Sequence, residues 1–262
     1  IRERDLKQYI LQPLVTKFGE LDKISPNSTA VKNIASCLEV LLNAVDSQDP
    51  SNRDCYSAAF ITDIKKFNKE VQTKKHALEL KKLGKKLVNL DAIFKQPEQP
   101  EQPEQQPSFT YEQLVAHNDA ITQLRAQVEK IVRISQDETN KERCNQMLAN
   151  LKKYQDILDA QAIAKYNEYI TDHQASLVKI KQYIDGFKDV LNQDQIAPKE
   201  LGVLGTIRTD LMAYLKECEI INGANEEGQS VTNVAQYKQF VQAHKQATAT
   251  YNNKLDQYLA GK

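Results

Sequence analysis

Four histidines, His76, His117, His173 and His244, each fall on, or in register with, an apolar stripe of helical period. Imidazoles that meet inside a helical bundle can hold a metal ion, and bundles that do so pair each His with a Glu three residues earlier. Here those earlier positions are Thr73, Leu114, Ile170 and Val241. With the carboxylates missing, we expect no metal and no cofactor. The histidines then read as partly buried seam residues, or as polar markers of helix register.

Paired acids come next, because two carboxylates of unequal pKa can perform acid–base chemistry. Asp156/Asp159 and Glu226/Glu227 are such pairs. On helices this rich in charge they read as solvated faces. The chain contains no GxGxxG, GxxxxGK[ST], GxSxG, HExxH or CxxC, and its eight glycines leave little from which to build a phosphate cradle. The expectation is that the protein is not an enzyme, and no catalytic residue is assigned. Four cysteines without paired spacing make neither a disulfide framework nor a zinc knuckle. Cys37, Cys144 and Cys218 lie on apolar helical stripes and are expected to be buried free thiols.

Lys plus Arg equals Asp plus Glu at 35 each, so no net charge draws the chain to nucleic acid or anionic lipid. Tryptophan is absent, and nothing alternates aromatic with basic residues as base-stacking surfaces do. Nucleic acid is therefore not an expected partner. The clearest local patch is KKHALELKKLGKK, residues 74–86, read as a solvated face threaded with apolar positions and, against that, as a phosphate-binding surface. No apolar run approaches the roughly 18 residues that a membrane span needs, so stable insertion is not expected.

Tyrosine is the one residue type that points to a partner. Eight of the eleven tyrosines follow residue 150. The last helical stripe carries Val234, Tyr237, Val241, His244, Tyr251, Leu255 and Tyr258. Such a seam gains less from burial than a Leu/Ile seam would, whereas tyrosine is favoured at interfaces for its rigid face and wet tip. Tyr237, Val241, His244, Tyr251 and Tyr258 are the candidate contacts for another protein.

The elements that must carry these residues follow a 3/4 rhythm almost throughout. Leu6, Ile10, Leu14, Phe18 and Leu21 mark a first helix that Pro13 should kink or delay. Val31, Ile34, Leu38, Leu41 and Val45 mark a second. A third runs on Phe60, Ile64, Phe67, Val71 and Leu78, then shifts phase to His76, Leu80, Leu83, Leu87, Leu90 and Phe94. Two phases cannot face one partner in a straight helix, so a bend or a change of neighbour is expected near residues 74–76.

The run QPEQPEQPEQQP, residues 96–107, holds four of the eight prolines and forbids helix. Its twelve residues span at most about 37 Å as polyproline II. As an SH3-type ligand it lacks the usual flanking basic residue. Thr110 and Gln113 then read as a capping box for a fourth helix seamed by Leu114, His117, Ile121, Leu124, Val128 and Ile131. The longest element runs from about Asn140 to Asn192, with a heptad on Tyr166, Ile170, His173, Leu177, Ile180, Ile184, Phe187 and Leu191. A helix from Pro198 and the Tyr-rich one complete the set, and no segment has strand periodicity.

The fold class is therefore all-α: an elongated helical bundle with long coiled-coil-like helices, its two sub-bundles joined by a Pro/Glu/Gln-rich spacer. The expected division is a three-helix bundle over 1–95, a linker over 96–109 and a four-helix bundle over 110–262. The leading functional expectation is a non-enzymatic scaffold, adaptor or surface-binding protein. The alternative is a membrane-active or pore-forming component stored in soluble form. A composition rich in Asn, Gln, Lys and Tyr is in keeping with an exported protein.

The heptad can be tested directly. Leu177→Ala, at its centre, should cost about 2–5 kcal/mol in a urea titration, and Lys179→Ala, off the seam, less than about 0.5 kcal/mol. Equal losses would mean that the stripe is misassigned.

Overall fold

The computed structural model describes residues 2–21, 28–45, 56–95, 107–191, 231–243 and 245, with the backbone alone over 172–191. Every regular element among these residues is helical. The expected helix from Pro198, the run over 96–106 and the heptad side chains from His173 onward lie outside them. Contacts group the chain into two compact units, Ile1–Pro107 with Ile121–Lys153, and Ser108–Ala120 with Tyr154–Lys262.

Helix α1, residues 3–21, is continuous but not uniform. An α-helical turn at Glu3–Leu6 passes into a π segment at Lys7–Leu11 and returns to α-helix over Gln12–Leu21. Pro13 explains the insertion. It has no N–H to give the carbonyl four residues back, and its ring crowds that carbonyl. The wider turn opens the ladder there, and the Gln12 N–H reaches back five residues to the Lys7 carbonyl. Pro13 is thus absorbed inside the helix.

The π turn also corrects the expected stripe. One extra residue in a turn moves the next buried position from Ile10 to Leu11. Leu11 is 6% exposed and Ile10 is 39% exposed. Helix α2, Ser28–Val45, buries Val31, Ile34, Leu38, Leu41 and Val45, as its spacing predicts. Cys37, expected to be buried, is exposed instead. At about 100° per residue it stands about 80° from the centre of that stripe, beyond its Leu41 edge.

Helix α3, Ala58–Phe94, changes its buried face partway along its 37 residues. Phe60, Ile64, Phe67 and Val71 join α1 and α2 in one core, with Phe18 edge-on to Phe67 at 5.5 Å. From His76 the buried positions are Leu80, Leu83, Leu87, Leu90 and Phe94. Ser57 caps the helix by accepting the Phe60 N–H at 3.2 Å. Glu3 holds that cap, with one carboxylate oxygen accepting the Ser57 N–H at 2.7 Å and the other the Ser57 hydroxyl at 2.8 Å. These bonds hold the exposed Glu3 carboxyl below the usual carboxylate range.

Helices α4, Tyr111–Ile134, and α5, Glu138–Leu191, each contribute residues to both units. On α4, Leu114, Ile121, Leu124, Val128 and Ile131 are buried as expected, while His117 is half-buried. The capping box is present: the Gln113 N–H donates to Thr110 Oγ1 at 3.2 Å, and the Thr110 N–H to Gln113 Oε1 at 2.9 Å. The break before α5 is short. Asp137 caps the new helix by accepting the Asn140 N–H at 2.8 Å. At 1.5 Å per residue, the 54 residues of α5 make an element about 80 Å long. Its described buried stripe is Cys144, Met147, Leu151, Tyr154, Leu158, Ala162 and Tyr166.

The π turn makes a sharp prediction. Leu11→Ala should cost about 2–3 kcal/mol of unfolding free energy, and Ile10→Ala less than about 1 kcal/mol. A regular α-helix through Pro13 would reverse that order.

Candidate functional site

The most chemically concentrated region of the described chain lies in the second unit, where the start of α4, the middle of α5 and the last helix meet. It begins just past the proline-rich run. The Phe109 N–H donates to Gln161 Oε1 at 3.0 Å, and the Phe109 ring stands edge-on to His117 at 5.0 Å. This anchor and the capping box set Tyr111 on the first turn of α4.

The last helix, α6, covers residues 234–243. Its N-terminus is closed from two directions. Asn233 Oδ1 accepts the Gln236 N–H at 2.9 Å, and Gln236 Oε1 returns to the Thr232 N–H at 2.7 Å and hydroxyl at 3.0 Å. From α5, Asp159 Oδ1 accepts the Val234 N–H at 3.0 Å. The same oxygen takes a bond from Gln155 Nε2, which also donates to Asn118 Oδ1 on α4, both at 2.9 Å. A carboxylate at a helix N-terminus satisfies an orphan N–H and complements the helix dipole.

That anchoring places the rings. Tyr237 meets Tyr111 edge-on at 5.8 Å. Phe240 stands edge-on to both Tyr166, at 4.8 Å, and Tyr169, at 5.2 Å. The Lys245 ammonium lies 5.5 Å from the centre of the Tyr111 ring, within cation–π range. Val231, Val234, Tyr237 and Tyr166 are buried, whereas Tyr111, Tyr169, Phe240 and Val241 are half-buried. Burial pushes the Tyr111, Tyr166 and Tyr237 hydroxyls above their usual pKa. For Tyr237 the neighbouring Tyr111, Glu112 and Glu168 add to the rise. These phenols stay neutral across biological pH.

Of the five candidate contacts, Tyr237 sits in the packed seam and Val241 at its half-buried edge. His244, Tyr251 and Tyr258 lie outside the described residues. Sequence reasoning missed Tyr111, Tyr166, Tyr169, Phe240 and Lys245. Phe240 had a signal, three residues after Tyr237 on the same helix, as did the Tyr166/Tyr169 pair at a spacing of three. Asp159 had none, because what it caps is 75 residues away in sequence.

The first unit holds a second polar feature. His76 is 3% exposed, and its Nε2 has no hydrogen-bond partner. Burial lowers its pKa, against a smaller upward pull from Glu79. One turn earlier, the Thr73 carbonyl accepts a bond from the buried Asn140 amide at 3.1 Å. His117 is also lowered by burial. Among the described residues no three His, Cys, Asp or Glu side chains stand together as metal ligands. A hollow lined by Glu3, Arg4, Lys7, Gln8 and Gln12 draws all its walls from α1, so it is the flank of one helix and not a cleft.

No protein-family model, curated protein or solved structure matches this chain.

His76 sets a pH dependence whose sign follows from its depressed pKa. The folded state binds fewer protons than the unfolded state once pH falls below about 6.5, the ordinary histidine value. Stability is therefore full above that pH and declines as pH drops through it. Urea titrations at pH 7.5 and 5.5 should show this loss, and His76→Leu should reduce it. An unchanged slope in the variant would remove His76 as its source.

Proposed function

We propose that the chain is a non-enzymatic interaction or scaffold protein, and that its protein-binding surface is the aromatic ridge around α6. The observation that carries this reading is the incomplete burial of that ridge. Tyr111, Tyr169 and Phe240 are ordered by edge-on contacts yet half-exposed, Val241 is half-exposed next to Phe240 in the same helix, and the Lys245 ammonium lies over the Tyr111 ring. Rigid aromatic faces are what protein interfaces favour. The inner residues Val234, Tyr237 and Tyr166 hold the ridge in place, so the surface is organised before any partner arrives. For the membrane-active alternative, among the described residues no helix is long and apolar enough to cross a membrane.

Tyr169→Ala combined with Val241→Asp should abolish capture of the partner that the unmodified chain cross-links. Both positions are half-buried, so the urea midpoint should move little. Undiminished capture by the double variant would place binding elsewhere, and leakage of dye-loaded vesicles at neutral pH would favour the membrane-active reading.

A further inference from the structure

Helix α3 carries a second, different surface on its outer side. Beyond residue 80 its buried positions are Leu83, Leu87, Leu90 and Phe94. Opposite them run two adjacent rows at 3/4 spacing, one through 81, 85, 88 and 92 and one through 82, 86, 89 and 93. All eight positions are exposed. Lys81, Lys82, Lys85 and Lys86 form the first half of this face, and Val88 and Ile93 stand in the second half at 63% and 38% exposure. Asn89 and Ala92 complete it, and no acidic residue interrupts it. The Arg143 guanidinium on α5 lies at its margin, 3.5 Å from where a Cβ on Gly84 would stand.

This arrangement runs against helix stability. Like charges four residues apart repel, and here that happens twice, at 81/85 and 82/86.

We propose that this face docks the protein on an anionic lipid surface. Three properties select lipid over the other polyanions. Exposed aliphatic side chains, Val88 and Ile93, continue the two lysine rows and can enter the boundary between headgroups and acyl chains while the lysines stay among the phosphates. Along the two rows the cations are all lysine, compact point charges suited to a mobile headgroup layer, with the Arg143 guanidinium only at the margin. The face also has no aromatic ring on which a base could stack. Four lysines near such a surface contribute about fivefold each in affinity at moderate salt. The face spans about 18 Å along the helix, from 81 to 93, so it lies on the membrane and does not cross it. It belongs to the first unit, and the aromatic ridge to the second.

Sedimentation of the full chain with vesicles tests this. Vesicles with about one third phosphatidylserine in phosphatidylcholine should carry the protein down at about 50 mM salt. Pure phosphatidylcholine should not, and about 300 mM salt should release it, because surface charges are screened within a Debye length. Replacing Lys81, Lys82, Lys85 and Lys86 together by Gln should weaken binding several hundredfold. Val88→Ser with Ile93→Ser should weaken it several-fold while leaving its salt dependence intact. Equal binding to neutral vesicles, binding that salt does not touch, or tighter retention by duplex DNA at the same salt would each overturn the proposal. The wild-type comparisons decide it even if a variant loses its helical signal.

Discussion

One irregular step governs the described structure. Along α3 the buried positions advance by three or four until Val71, and the next is His76, five residues on. At 100° per residue that step rotates the buried stripe by roughly 150°. A single helix can then serve two sets of neighbours without a break in its backbone ladder. Its first half closes the core with α1 and α2, and its second half turns a different face inward. The same rotation decides which face is left outside, so the lysine rows after residue 80 follow from where the stripe comes to rest.

Around that step the packing is polar as well as apolar. His76, Ser135 and Asn140 are the buried polar residues among those described, and Asn140 reaches the Thr73 carbonyl, two residues beyond Val71. A buried amide that bonds a mid-helix carbonyl fixes the axial position of one helix against another in a way that interchangeable leucines cannot. Side chains also close helix ends across long separations in sequence. Glu3 closes the start of α3 through Ser57, and Asp159 closes the start of α6 through Val234. In each case a carboxylate meets N–H groups that the helix itself leaves unsatisfied.

Most of this helical framework was legible in the residues. The α2 stripe, the α4 stripe apart from His117, the Thr110–Gln113 box and the phase shift in α3 all express periodicity or capping chemistry, which are local properties of the chain. What escaped was of two kinds. The π turn at Lys7–Leu11 changes the period itself, so a reading that assumes 3.6 residues per turn assigns Ile10 where Leu11 belongs. Cys37 was misread because a stripe is narrower than the run of apolar residues that contains it. The second kind is tertiary. Asp159 looked like one more solvated acid, because the N–H it accepts lies 75 residues away. The ring contacts among Tyr111, Tyr166, Tyr169, Tyr237 and Phe240 depend on how three helices dock, and no local pattern encodes that.

The bond from Val234 to Asp159 closes a loop of 75 residues, against spacings of three and four for the bonds inside each helix. Loop closure costs entropy that grows slowly with length and must be met before any contact across the loop rewards it. Helices α4 and α5 can form and pair first, since they are joined through only three residues, 135–137. Helix α6 docks across the longer loop and has the larger closure cost to meet. Its departure uncovers Tyr166 and Phe240 together. The rings that organise the ridge are thus held by the segment with the longest return path, and local opening there exposes more aromatic surface than fraying at α1 would.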